Sequence, residues 1–340
     1  MSSSGALAGA DPGVALPATI PVICGPTASG KSAIAMWLAM RRGITIICAD
    51  SRQVYRGFDI GTAKPTANDQ RRVPHRGVDV ADPTQRYSAA DWVHEATAAI
   101  GEAIAADRIP IVVGGTGFYI SALFRPLWQQ PALDRRQRLG VQRELDAMAT
   151  EELRRWCHHM DPARAHLGRA QLLRAIEIAL LTGQRLSDLH VTRARPAPFR
   201  GSYLLVDPGA RLPSRIAART AAMVDAGWPD EVRALQRDVP ADAPAWNTTG
   251  YDVVRALLRG EVDRESAIDR VVIETRQYAK RQRTWFRHQL AGDAVRRLDP
   301  DASGWQEIVD RWMSESEMAL RTSMHGTGEP DQPEEGRRSR

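Results

Sequence analysis

The sequence predicts an α/β protein: a parallel sheet flanked by helices, interrupted by an all-helical insertion domain. Two observations carry that prediction. Short apolar runs alternate with helical periodicity from residue 20 onward, and the runs end in glycine, hydroxyl or acidic residues, where ligands bind at parallel sheets. From about Leu123 to Arg200, arginine-rich amphipathic stretches instead follow one another with no strand between them.

The elements follow in order. ATIPVICG reads as a buried strand running into GPTASGKS, which fits the phosphate-cradling pattern G-x-x-x-x-G-K-[ST], and KSAIAMWLAMRR as the helix after it. Strand, glycine loop and helix together define a P-loop NTPase-like core. ITIICADS is a second strand, and SAADWVHEATAAIGEAIAADR a helix with a serine N-cap. IPIVVGGTG is a third strand closing on glycines, so three motif-bearing turns fall at one sheet edge. Within the insertion, ALDRRQRLGVQRELDAMATEELRRWCHHM and GRAQLLRAIEIALLTGQ are helical. SYLLVDP restores a strand, and two helices punctuated by Gly227 and Pro229 follow. After WNTTGYDVVRALLRG, the segment ESAIDRVVIETRQYAKRQRTWFRHQL reads as one long helix. The expected organisation is a flexible N-terminal extension over 1–19, a core over 20–122 and 201–300, the insertion over 123–200, and a disordered tail over 314–340.

Composition narrows the function classes. No run of 18 apolar residues exists, so no membrane span is expected, and the N-terminus lacks the basic start of a signal peptide; the cytoplasm is the expected compartment. Cys24, Cys48 and Cys157 lack C-x-x-C spacing, which argues against a zinc site, and Cys24 and Cys48 close apolar runs as core thiols do. The net charge of +5 favours a polyanionic partner mildly. Of 46 basic residues only Lys31, Lys64 and Lys280 are lysine, each inside or beside a motif, where a compact ammonium does what a planar guanidinium cannot.

In the loop Gly25, Pro26, Thr27, Ala28, Ser29, Gly30, Lys31 and Ser32, backbone N–H groups and the next helix's N-terminus face bound phosphate. Lys31 adds a mobile charge, and the Ser32 hydroxyl can hold Mg²⁺. A nucleotide-splitting enzyme of this type carries an acid at the end of a second apolar strand. IPIVVGGTG ends in glycines and Thr116 instead, and the strand-end acid is Asp50. Asp50 can serve as metal ligand, general base or plain helix cap. In TRQYAKRQRTWFR, Arg276, Lys280, Arg283 and Arg287 recur at helical spacing, interleaved with Trp285 and Phe286. A cationic face with aromatics suits single-stranded RNA loops; a surface helix with its rings packed inward is the plainer alternative.

GPTASGKS, ADSRQVYRGFDIGTAKP, PHRGVDVADPTQRYSAADW, VVGGTGFYI, RAIEIALLTGQ, NTTGYD and QYAKRQRTWFR occur in this order. Together they closely resemble the tRNA dimethylallyltransferases over about residues 20–290. The resemblance implies transfer of a dimethylallyl group from dimethylallyl diphosphate to N6 of the adenosine 3′ of the anticodon, with Mg²⁺ as cofactor and pyrophosphate as product. It implies that the cradle holds the prenyl diphosphate, that Asp50 is the base, that Thr116 assists the leaving group or positions the donor, and that Arg138 lies near the pyrophosphate. The tRNA contacts it implies are Asp50, Ser51, Arg52 and Gln53; Gln171, Leu172, Leu173, Arg174 and Ala175; Asn247, Thr248, Thr249, Gly250, Tyr251 and Asp252; and Lys280, Arg281, Gln282, Arg283, Thr284, Trp285, Phe286 and Arg287. One departure stands out: Gln171 and Leu172 replace an arginine pair, with Arg169 nearby as a substitute. The partners expected are the tRNA anticodon stem-loop and dimethylallyl diphosphate, with a monomeric enzyme. A small-molecule kinase with ATP in the cradle, and an RNA-binding protein with a vestigial loop, are the competing readings.

Overall fold

The structure, a computed structural model, describes residues 17–128, 133–192, 194–290 and 294–325. The described chain divides into two compact units, one built from the residues up to Phe124 and from Pro198 onward, the other spanning Arg125–Ala197.

In the first unit the chain runs β1 (Thr19–Cys24), α1 (Lys31–Ala39), β2 (Ile44–Ala49), α2 (Ala67–Arg72), β3 (His75–Arg76), α3 (Ala89–Ala105), β4 (Ile109–Gly114) and α4 (Gly117–Phe124). The second unit holds β5 (Leu127–Trp128), α5 (Arg135–Asp146), α6 (Thr150–Met160), α7 (Arg169–Thr182), α8 (Leu186–Thr192) and β6 (Ala194–Arg195). The first unit resumes with β7 (Arg200–Val206), α9 (Leu212–Asp225), α10 (Trp228–Asp238), α11 (Tyr251–Leu258), α12 (Arg264–Gln289), β8 (Val295–Leu298) and α13 (Trp305–His325).

Six strands form one parallel sheet in the order β3-β2-β4-β1-β7-β8. Its middle strands are near-continuous apolar runs because helices cover both faces. Ile20, Val22 and Ile47 pack with Trp92 and Ile100 on one face, and Ile23, Ile44 and Val113 with Leu38 and Trp312 on the other. Helix α3 begins as expected: Ser88 and Asp91 form a reciprocal capping box. Cys24 and Cys48 are buried core thiols, each pushed up to about 12 by burial.

Three expectations need correction. The tail does not begin at Ser314, because α13 continues to His325 and presses Val309, Trp312, Met313 and Leu320 into the core. Its apolar residues recur at helical spacing beneath a polar outer face, and mean composition conceals that pattern. The extension expected over 1–19 lies mostly outside the described residues, but Thr19 opens β1 and pairs with Arg200. The insertion is not wholly helical, since β5 and β6 form a short antiparallel pair. Its helices enclose their own core of Leu145, Leu153, Cys157, Leu172 and Ile176.

Candidate active site and RNA-facing surface

The phosphate loop joins β1 to α1 at the carboxyl edge of the sheet. Gly25 has φ +149°, and a Cβ there would stand 2.1 Å from the Val206 carbonyl of β7, so only glycine lets the loop leave the sheet at that angle. Gly30, with φ +99°, caps α1. The Lys31 ammonium folds back onto the Pro26 carbonyl at 2.7 Å. Desolvation in the loop, reinforced by Arg219 and opposed by Asp50, brings its pKa down to about 8.

The loop is held from above by side chains that the motif alone does not reveal. Arg215 donates through Nε to the Ala28 carbonyl at 3.0 Å, and Arg219 donates to the Thr27 hydroxyl at 3.3 Å. Both lie on α9, whose Leu212, Ile216 and Thr220 are buried. Two arginines four residues apart on an otherwise apolar-facing helix were the available signal in ARLPSRIAARTAAM. Gln282 of α12 accepts from the Thr27 N–H at 2.8 Å and donates to the Gly115 carbonyl at 2.9 Å. One amide of the expected phosphate nest is therefore engaged by the protein itself.

Asp50 stands at the end of β2, and its Oδ1 accepts from the Arg52 N–H at 2.9 Å. It caps no helix, since the residues after it form turns. Thr116 docks onto the same turn: its N–H donates to the Ala49 carbonyl, and its hydroxyl accepts from the Ser51 N–H at 3.0 Å. Two adjoining cavities meet here. One, of about 550 Å³, contains Gly30, Lys31 and Ser32; the other, of about 390 Å³, contains Arg52, Asn247, Thr249 and Arg281. Asp50, Arg219 and Tyr278 belong to the walls of both. The Tyr278 phenol is pushed up to about 12, by burial first and by Asp50 second.

Of the expected RNA contacts, Asn247, Asp252, Lys280, Arg281, Thr284 and Arg287 are exposed, Arg52, Gln53 and Thr249 are half-buried in the cavity walls, and Ser51 is half-buried. Others turn inward and are corrected. Tyr251 is fully buried and donates to Glu231 at 2.6 Å, and Gly250 lies beneath Trp228. Thr248 is buried with its hydroxyl donating to the Ala245 carbonyl at 2.7 Å, yet it still borders the smaller cavity. Gln282 serves the phosphate loop, and Phe286 belongs to the core between β1 and α4. Arg283 does not join the cationic stripe, because Asp207 and the Gly209 carbonyl hold its guanidinium. Trp285 is half-buried against Gly117. Phe286→Ala is expected to cost about 3–5 kcal/mol of stability, as loss of a buried ring does, and to leave the salt dependence of RNA binding unchanged. Urea unfolding and binding titrations check both.

In the second unit, Leu172 and Ala175 are core residues and cannot reach RNA, while Leu173 is half-buried. Gln171 caps its own helix by accepting from the Gly168 N–H at 3.0 Å. Arg169, expected to substitute for the missing arginine pair, spends its guanidinium on the Met148 and Asp146 carbonyls. Arg138 donates through Nε to the buried Glu177 at 2.7 Å, and Arg174 binds the same carboxylate.

A parallel sheet with a glycine-rich phosphate loop after its central strand places the chain among P-loop NTPase-like proteins. A family model described as IPP transferase matches residues 53–289, and a second, described as isopentenyl transferase, matches residues 18–75. The chain belongs to the IPP transferase family. It is 37% identical over 292 residues to the tRNA dimethylallyltransferase of Deinococcus radiodurans, covering 84% of this chain and 94% of that one. The tRNA dimethylallyltransferase of Halorhodospira halophila is 41% identical over 288 residues, covering 81% and 92%. Among solved structures, the full-length tRNA isopentenylpyrophosphate transferase of Bacillus halodurans superposes with a TM-score of 0.64 at 31% identity, covering 90% of this chain and 99% of that one. A eukaryotic dimethylallyltransferase described as acting on tRNA gives a TM-score of 0.73 at 25% identity, covering 93% and 81%. Among the described residues no helix is long and apolar enough to cross a membrane.

Proposed function

We propose that this chain transfers a dimethylallyl group from dimethylallyl diphosphate to N6 of the adenosine 3′ of the anticodon in tRNA. The observation that carries the reading is the pair of cavities sharing Asp50, Arg219 and Tyr278 as a common wall. One side offers Lys31 and the phosphate loop to a diphosphate; the other offers Asn247, Thr249, Arg52 and Arg281 to a nucleotide drawn out of its loop. The N6 nitrogen forms a bond to C1 of the prenyl group while the C1–O bond breaks and its electron pair leaves with pyrophosphate. Lys31 and Arg219 stabilise the departing charge, and Asp50 takes the proton that the amine loses.

Magnesium forms part of the proposal. Ser32 lies at the start of α1 and borders the larger cavity, so its hydroxyl offers the hard oxygen donor that Mg²⁺ prefers. Among the described residues no group of three or more His, Cys, Asp and Glu is placed to hold a metal. Ser32 would therefore share the ion with the diphosphate and water, where the ion supplies further charge neutralisation. The enzyme is proposed to act as a monomer in the cytoplasm.

Radiolabelled dimethylallyl diphosphate is expected to label unmodified tRNA in the presence of the purified protein. ATP-dependent phosphorylation without labelling would favour the kinase reading instead. Lys280→Ala combined with Arg287→Ala is expected to flatten the plot of log affinity against log salt by about 1.5, since two phosphate contacts release fewer counterions when lost. An unchanged slope in filter-binding titrations would remove α12 from the RNA-facing surface.

A further inference from the structure

Lys64 is one of only three lysines in the chain, and nothing described so far uses it. Its side chain is 2% exposed, although it borders the larger cavity. The ammonium donates to the Tyr55 carbonyl at 2.7 Å and to one oxygen each of Asp59 and Asp79 at 2.5 Å. Three donors thus meet three acceptors, and the group is saturated. A planar guanidinium cannot converge on that arrangement, which accounts for lysine in a chain that otherwise favours arginine. With two carboxylates already on one ammonium, the cluster is net negative and ill-suited to receive a phosphate.

The same contacts close a ring around the segment that follows Asp50. Gln53 donates to the Thr62 and Ala63 carbonyls at 3.1 and 3.0 Å. Its own carbonyl accepts from the Asp79 N–H at 3.2 Å, and Lys64 then ties Asp79 back to Tyr55 and Asp59. Ala63 and Asp79 have φ values of 50° and 57°, a left-handed conformation that non-glycine residues adopt at a cost and keep only when surrounding bonds impose it. Asp50 lies three residues before Gln53, with its Oδ1 fixed by the Arg52 N–H.

We propose that Lys64 is a positioning residue for proton transfer to Asp50. Its ammonium clamps the loop from Asp50 to Lys64 so that the carboxylate stays on the wall common to the two cavities, and it is not a ligand of the diphosphate. The proposal rests on the prenyl-transfer reading.

The test compares the full chain with Lys64→Met, Lys64→Arg and the double variant Lys64→Met with Asp79→Asn. Single-turnover rate at saturating donor and tRNA, donor KM, tRNA Kd and thermal midpoint are measured for each. The single variants are expected to lose about 100-fold in rate, the scale of a small misplacement of a reacting group, with donor KM and tRNA Kd nearly unchanged. In the double variant one unpaired carboxylate is gone, so the thermal midpoint recovers while the rate stays low. Three results would overturn the proposal: a near-normal rate in Lys64→Met; a raised donor KM with an unchanged saturated rate, which marks a diphosphate ligand; or a rate that recovers together with the midpoint, which marks a purely structural role. A wild-type protein that labels no tRNA removes the prenyl-transfer reading and this proposal with it.

Discussion

Asp50→Ala is expected to lower turnover by about 10²- to 10⁴-fold, the range over which a positioned general base contributes, while tRNA affinity falls far less. The asymmetry follows from geometry. Oδ1 of Asp50 is committed to the Arg52 N–H, so losing the side chain removes that local acceptor and the carboxylate on the wall between the cavities, while the other residues of the smaller cavity are untouched. On the proposed reading, RNA affinity is by contrast spread over Asn247, Thr249, Arg281 and the cationic residues of α12, which line the smaller cavity or lie exposed. Asp50→Asn serves as the companion variant, because it preserves the acceptor for Arg52 but cannot take a proton near neutrality. Comparable loss from both substitutions in single-turnover assays, with tRNA Kd steady in filter binding, would establish the base. Equal losses of rate and affinity would make Asp50 an RNA contact.

Lys31→Ala is expected to cost about 10²- to 10³-fold in kcat, the usual effect of removing one preorganised donor from a developing anion. Because Arg219 also reaches the loop, at Thr27, some stabilisation of the leaving group survives. The pH dependence separates this role from a structural one. Desolvation brings the Lys31 ammonium to a pKa of about 8, below its ordinary value. Bound diphosphate favours the charged form and raises that pKa, so donor binding takes up a proton once the pH exceeds 8. Donor affinity should therefore be flat below pH 8 and weaken above it, by up to about tenfold per pH unit until the pKa of the complex is reached. Calorimetry in buffers of different ionisation enthalpy measures the uptake directly, and Lys31→Ala should abolish it.

Much of this site is legible in the sequence because its backbone is. The strand-loop-helix order around GPTASGKS, the acid closing ITIICAD and the threonine after VVGG each sit where apolar runs stop, and in a parallel sheet such stops share one edge. Thr116 and Ser51 accordingly meet across 65 residues of sequence. What the sequence conceals is which face of a helix is turned inward. Arg276, Lys280, Arg283 and Arg287 have the spacing of a stripe, yet Asp207 at the end of β7 draws Arg283 out of it. Gln282 and Phe286, read as RNA contacts within a basic run, point toward the loop and the core. Strand β8 escaped notice because VRRL carries two arginines on an edge strand, and its pairing with β7 is a tertiary fact. Helix α13 escaped because a charged outer surface masks the apolar line beneath it.

The Gln282 amide has one more implication. Its two hydrogen bonds span the gap between the turn after β1 and the turn after β4, yet the amide belongs to the helix that displays Lys280 and Arg287 outward. An axial slide or roll of that helix loads those bonds, so on the prenyl-transfer reading nucleic acid held at the outer surface would act on the phosphate loop through this amide, alongside the Arg215 and Arg219 contacts from α9. By thermodynamic reciprocity, whatever factor a docked anticodon imposes on diphosphate affinity, the diphosphate returns to the anticodon.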